Sequence, residues 1–344
     1  MTGHGLRTSL GRAVKARVQG ILDQALSTMV AAFAIMLIFS STALAQQNYP
    51  NKTITLLFGF SVGSSGDIAA RLEGEAMAKE LGVSVVVRNV PGAGGRNAVT
   101  LLNRAKPDGY TMAIVNVPGQ LVNQIVRKLP PDLRTFEWIG RSIAQPYFLQ
   151  VSKKSGLSSL NDLKKRKKQL KAGITGTGGN TFPISVIATN IVGYPVHFIP
   201  GFTSPEIIAN IMRGELEATT LPVSESNFGA ISSGKATGVA VYTAERHPML
   251  PDVPTGAEQG FPELAQPTVL GTNLIALPPG TPDAIVSKLE AALAKGLRDK
   301  SLVKKIESAG NFVKPLTGKE SAQLVADMIQ LVEKNTSLLK QYVK

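Results

Sequence analysis

Twice between residues 53 and 115 an apolar, β-branched run gives way to a glycine-rich loop and then to helix-like sequence. No other feature of the chain restricts its fold class so strongly. Thr53 to Phe58 reads as a strand. After a Gly/Ser loop, Ile68, Leu72, Ala76 and Leu81 follow a 3.6-residue period, with Asp67 where an N-cap belongs. Val83 to Val87 is a continuous apolar run of the kind found in a buried parallel strand. The loop Asn89 to Gly95 and a helical stretch through Arg104 follow, and Tyr110 to Val115 is a third strand. Such alternation predicts a doubly wound α/β sheet, with ligands bound outside the carboxyl ends of its strands.

The pattern then repeats. A crossing at Tyr147 to Val151 leads to a helix over Leu160 to Leu170, a strand over Lys171 to Ile174 and a glycine loop from Thr175 to Thr181. Further helices (Ile184 to Ile191, Pro205 to Arg213) and strands (His197 to Ile199, Glu217 to Leu221, Gly238 to Tyr242) complete a second α/β domain. Thr268 to Leu277 reads as the return, after which Asp283 to Leu297, Ser301 to Ala309 and Lys319 to Tyr342 are helical and pack on the first domain. The expected division is a discontinuous lobe 1 (residues 46–147 and 269–344) and a lobe 2 (residues 148–268). Two crossings imply a hinge and a cleft.

Residues 1–45 stand apart as a secretory signal. Arg7, Arg12, Lys15 and Arg17 precede the apolar run Met29 to Phe39, and Ala43-Leu44-Ala45 offers a small-x-small cleavage site. The chain is therefore expected to be exported. The chain carries 37 Lys+Arg against 24 Asp+Glu, a net +13. Without residues 1–45, which hold four bases and one acid, the balance is +10 and still favours anionic partners. No cysteine is present, and outside the signal only His197 and His247 remain, so thiol chemistry and a histidine-rich metal site are excluded. No cofactor is expected. The run Lys164 to Lys168 lacks interleaved aromatics and reads as a solvated helix face, not as a nucleic-acid patch.

Three motifs suggest enzymes. Gly229 to Ala236 misses the Ser/Thr of a phosphate loop, and the glycines at 92–95 and 176–179 do not complete G-x-G-x-x-G. Gly59-Phe-Ser61-Val-Gly63 satisfies G-x-S-x-G after a strand, so an exported serine hydrolase using Ser61 is the alternative reading. Against it, Gly63 to Gly66 separates Ser61 from the helix, and the two histidines are poorly placed for a base. What the Gly/Ser loops supply is backbone N–H groups at helix N-termini, which attract anions. Ser64, Ser65, Thr175, Thr177, Asn180 and Thr181 add polar side chains. Arg71 and Arg96 read as solvated helix residues, so the ligand is expected to be held by amides and hydroxyls.

The sequence resembles the Bug family of substrate-binding proteins that serve tripartite tricarboxylate transporters. The resemblance rests on Phe60-Ser-Val-Gly63 through Asp67-Ile-Ala-Ala-Arg71, Asn89-Val-Pro-Gly-Ala-Gly-Gly95, Pro107-Asp-Gly-Tyr-Thr111, Leu250-Pro-Asp-Val-Pro-Thr255 and Pro278-Pro-Gly-Thr-Pro282. It implies a type II periplasmic-binding-protein fold, with two doubly wound lobes closing on a small carboxylate, and integral-membrane transporter subunits as partners. The receptor is expected to be a monomer. The implied ligand-binding set is Phe60, Ser64, Ser65, Gly66 and Asp67 from one lobe, and Thr175, Thr177 to Thr181 (with Gly178 and Gly179), Phe182 and Phe202 from the other. Val62 stands where the family usually has Pro, Ser64 and Ser65 replace glycines, and Phe182 replaces a common His. Gly201-Phe202 replaces a Tyr followed by Lys or Arg; Phe182 and Phe202 read equally as core residues or as pocket lining, and in the second case the ligand is less polar.

Overall fold

The computed structural model describes residues 49–266, 269, 271–308 and 310–343, together with Met29. The expected signal segment and its expected cleavage site at Ala45 lie outside these apart from Met29. The compact unit 52–344 carries everything below.

Strands and helices alternate from the start: β1 (Ile54–Phe58), α1 (Ser65–Leu81), β2 (Val85–Asn89), α2 (Arg96–Asn103), β3 (Thr111–Asn116), α3 (Val117–Leu121) and β4 (Glu137–Gln145). They continue as β5 (Tyr147–Ser152), α4 (Leu160–Lys165), β6 (Leu170–Gly173), α5 (Thr181–Val192), β7 (Val196–Ile199), α6 (Ser204–Arg213), β8 (Ala218–Pro222), α7 (Glu225–Ser232) and β9 (Ala236–Val241). The chain closes with β10 (Gly271–Leu277), α8 (Asp283–Gly296), α9 (Lys300–Ser308), β11 (Phe312–Leu316), α10 (Gly318–Lys334) and α11 (Thr336–Lys340). A six-stranded sheet runs β11-β4-β10-β3-β1-β2, and a five-stranded sheet runs β7-β6-β8-β5-β9. Strands joined by crossover helices pair in parallel, β1 with β2 and β3, β6 with β7 and β8. The strands that enter after a change of sheet, β5 and β10, pair antiparallel on both sides. Each half is thus a wound α/β layer, as expected.

The differences from expectation have local causes. β4 is hidden in the sequence because Glu137, Arg141 and Gln145 interrupt its apolar alternation. So is β11, whose Lys314 and Pro315 suit the sheet edge where it lies. β2 starts at Val85, not Val83, and is an edge strand, with Val86 52% exposed. The final helix breaks at Asn335, and α4 stops at Lys165 because Arg166 turns extended (ψ 131°). Capping boxes at Ser159/Asp162, Thr203/Glu206 and Thr317/Glu320 open α4, α6 and α10.

In α1 the buried stripe is Ala69, Ala70, Glu73, Ala76 and Met77, while Ile68, expected on the inner face, is 45% exposed. The stripe is narrow because α8 comes close: a Cβ added to Gly296 would stand 2.7 Å from the Ala76 Cβ. Glu73 is carried inside with it, and burial pushes its pKa up to about 8. The folded state therefore holds a proton that the unfolded chain releases near pH ~4.3. Stability from this group is full below that value and is lost as pH rises through about 8. Glu73→Gln should stabilise the protein at pH 8 by several kcal/mol, on the order of 4, and change it little at pH 4. Urea midpoints at both pH values check this, and equal effects at both would refute the buried-acid assignment.

Candidate ligand-binding site

Three loops at the carboxyl ends of β1, β2 and β6 meet in one place. In the first, Ser64 and not Asp67 is the N-cap of α1: the Ser64 hydroxyl accepts the Asp67 N–H at 3.3 Å. Asp67 sits one turn in, only 2% exposed, and organises the loop. Its carboxylate accepts from the Gly63 N–H (2.9 Å), Asn89 Nδ2 (2.8 Å), and Arg71 Nε (3.1 Å) and Nη2 (3.0 Å). Burial works to raise its pKa, but the Gly63, Asn89 and Arg71 donors outweigh it and hold the carboxyl below its ordinary value. Asn89 Nδ2 also donates to the Phe60 carbonyl at 3.0 Å, tying both ends of the loop to β2. Arg71 is thus half of an internal ion pair and not a purely solvated residue, while Arg96 Nε donates to the Pro130 carbonyl. Ser65 and Gly66 are N1 and N2 of α1, positions whose N–H groups have no acceptor within the helix. Gly66 admits no side chain, since its Cβ would lie 2.6 Å from the Phe58 ring.

The second loop, Thr175 to Thr181, leads into α5. The Thr175 and Thr181 hydroxyls bond at 3.2 Å. Asn180 occupies the N-cap position in a helical conformation and makes no side-chain cap, which leaves the first-turn N–H groups of α5 uncapped by it. Its side chain reaches to the other half instead, accepting the Gly119 N–H and donating to Asn273, both at 3.2 Å.

The halves touch through glycines. A Cβ on Gly94 would fall 2.3 Å from the Gly178 carbonyl carbon, and one on Gly119 would fall 2.3 Å from the Gly178 oxygen. A ladder of buried polar residues holds this seam. Asn116 Nδ2 donates to the carbonyls of Gly94 and Gly178, both at 3.2 Å. Gln120 Nε2 donates to the same two carbonyls at 2.8 and 3.3 Å. Asn123 Nδ2 donates to Gln120 Oε1, and Arg127 donates to the Thr177 hydroxyl. Phe60 lies between the loops, its ring 3.4 Å from the Cβ position of Gly95 and 3.9 Å from that of Gly179.

The structure therefore brings together Phe60, Ser64, Gly66, Asp67, Thr175 and Thr177 to Thr181. Of the two further phenylalanines expected at the ligand, Phe182 is closed off and Phe202 is partly buried. Phe182 is fully buried in the core with Val115, Leu121 and Val186, edge-on to Phe198, and Phe202 packs against the cluster around Phe148 and Ile207. The ladder residues escape the sequence reading, although Asn116, Gln120, Asn123 and Arg127 recur at helical spacing within an apolar stretch. Ser61 is exposed, and among the described residues no hydrogen bond joins it to a histidine. His247 is buried against the Phe312 ring (centroids 4.9 Å apart) and His197 lies in β7. The hydrolase reading has no geometric support.

The profile described as tripartite tricarboxylate transporter family receptor matches residues 69–342. A UPF0065 protein of Bordetella bronchiseptica is 29% identical over 316 residues, covering 89% of each chain. Protein BugT of Bordetella pertussis is 26% identical over 318 residues, covering 88% of this chain and 95% of its own. Among solved structures, a periplasmic transporter superposes with a TM-score of 0.75 at 29% identity, over 86% of this chain and 99% of the other. MatC from Rhodopseudomonas palustris with bound malate gives 0.73 at 23% (84% and 100% covered). R. palustris Rpa4515 with adipate gives 0.74 at 24% (85% and 98%).

Proposed function

Because the chain belongs to the tripartite tricarboxylate transporter family of receptors, we propose that it captures a small organic acid between the loops Phe60 to Asp67 and Thr175 to Thr181. It is a periplasmic solute-binding receptor and not an enzyme. The observation that carries the ligand reading is the convergence of two helix N-termini, those of α1 and α5, across the Phe60 ring. Amides presented this way suit a carboxylate, and no basic side chain occupies either loop. Malate and adipate in two structural neighbours support a diacid.

The lobes are taken as residues 46–147 with 269–344 and residues 148–268. The receptor acts as a monomer that presents its ligand to integral-membrane subunits, after residues 1–45 are removed at Ala45. N-terminal sequencing of the exported protein checks the cleavage, and native mass spectrometry checks the monomer and any retained ligand. A thermal-shift panel of carboxylates and their matched amides tests the ligand class. An acid present at a hundred times its Kd should add about 2.7 kcal/mol of stability, and its amide none. Equal shifts from acids and amides, or from neither, would sink the carboxylate assignment.

A further inference from the structure

At the end of the five-stranded sheet away from the Thr175–Thr181 loop, one rim gathers the lysines of that half. β6, β8 and β9 begin there and the antiparallel β5 ends there, with Val151 opposite Ala218 and Ser152 opposite Ala236. Short bonds tie the segments together. The Lys153 N–H donates to the Lys235 carbonyl (2.9 Å), and Lys154 Nζ donates to the Arg213 carbonyl (2.7 Å). The Glu217 N–H donates to the Lys171 carbonyl (2.8 Å), and Arg166 Nε donates to the Lys168 carbonyl (3.0 Å). Both arginines of the rim are neutralised, Arg166 by Glu217 at 2.5 Å and Arg213 by Glu215 at 3.0 Å. The lysines are not. Lys153, Lys154, Lys171, Lys235 and the four lysines of the run Lys164 to Lys168 are all exposed. Among the described residues none of them has a carboxylate partner. Two acids adjoin: Asp162, held in its capping box, and Glu263, two residues from the Phe261 ring beneath Lys164.

We propose that this lysine rim seats the protein on a bilayer surface through anionic lipid headgroups. The cores of protein interfaces are depleted in lysine and enriched in aromatics and arginine. Here the unpaired charges apart from Glu263 are all lysines, and Met212, 37% exposed beside Arg213, is the one large apolar side chain exposed in this half among the described residues. Hydrated ammonium groups on flexible stems suit a diffuse field of phosphates better than a fixed, bidentate contact. No exposed aromatic stands among them to stack a nucleobase. The ligand loop leaves the opposite end of β6, so a protein seated on this rim keeps its proposed binding site clear of the headgroups.

The test is sedimentation with vesicles of phosphatidylcholine, alone or mixed with phosphatidylglycerol, using protein purified from a periplasmic extract. Its variant carries Lys164→Gln, Lys165→Gln, Lys167→Gln and Lys168→Gln. The parent should bind only the phosphatidylglycerol vesicles, and less as salt rises. Each lysine removed should weaken partitioning about fivefold, so the variant should lose more than about a hundredfold. Its thermal shift with the ligand acid should be unchanged, because the rim lies at the other strand ends. Binding to both vesicle types alike, to neither, or undiminished in the variant overturns the proposal. So does retention by heparin without vesicle binding, which would assign the rim to a polymeric anion.

Discussion

Gly178→Val should weaken ligand binding by more than about a hundredfold, roughly 2.8 kcal/mol, while the protein stays folded. A Cβ at Gly178 would stand 2.8 Å from the Ala93 carbonyl oxygen and 3.0 Å from Asn123 Nδ2, before the two further methyls of valine are placed. The first of these neighbours is backbone and cannot swing aside. The loop must then retreat from Gly94 and Gly119, and the Asn116 and Gln120 bonds to the Gly178 carbonyl break with it. The five-stranded half keeps its clusters around Leu149 and Phe148, and the six-stranded half keeps one around Ala76 and Ile306, so circular dichroism and a cooperative melt should persist. Isothermal titration of the folded variant decides the matter. Affinity within about threefold of the parent would show that the two loops need not meet to hold the ligand. Gly94→Ala gives an independent check, since its φ of +64° and its 2.3 Å approach to Gly178 both oppose a side chain.

The parallel windings are legible because their strands are apolar and their helices periodic. β4 and β11 are not legible. Their pairing is antiparallel and non-local, Phe312 opposite Ala144, and it tolerates Arg141, Lys314 and Pro315 because β11 is an edge. The stripe of α1 misleads for a related reason. Leu72 and Ala76 pack inward as the period predicts, but the close approach of α8 at Gly296 adds Ala69 and Glu73 to the buried face and leaves Ile68 out, and a buried glutamate is invisible to an apolar period.

At the site, sequence locates the two loops but not what holds them. Their glycines read as donors of amides; several of them are there because another backbone passes within van der Waals reach. The ladder Asn116, Gln120, Asn123 and Arg127 contacts them from a segment between 50 and 62 residues away in the chain. Polar residues at helical spacing in an apolar run are the available signal. Phe182 packs in the core and Phe202 is partly buried against its own cluster, a packing role that sequence alone does not separate from pocket lining.

Asp67→Ala should cost about 3.5 kcal/mol at pH 7, well above the ~1 kcal/mol expected of Ser64→Ala, which removes the helix cap alone. Two contributions add. The Gly63 amide and Asn89 Nδ2 each make a charge-assisted bond worth about 1.5 kcal/mol, and the pair with Arg71 adds only about 0.5, because that guanidinium is half exposed. The carboxyl is held below its usual pKa in the folded state, so its contribution is present above about pH 4 and is lost as pH falls through the lower folded value. Urea unfolding should accordingly show the gap between parent and variant shrinking in acid. Affinity for the ligand acid should fall more than about tenfold, since the Gly63 N–H loses its acceptor and Asn89, which holds the Phe60 carbonyl, loses the carboxylate that positions it, loosening the loop around Ser64 to Gly66. If the stability gap is below about 1 kcal/mol, or does not shrink in acid, Asp67 is not the ionised anchor of the loop. If stability falls while affinity holds, the loop is a scaffold only, and the anion must be gripped from the Thr175 to Thr181 side alone.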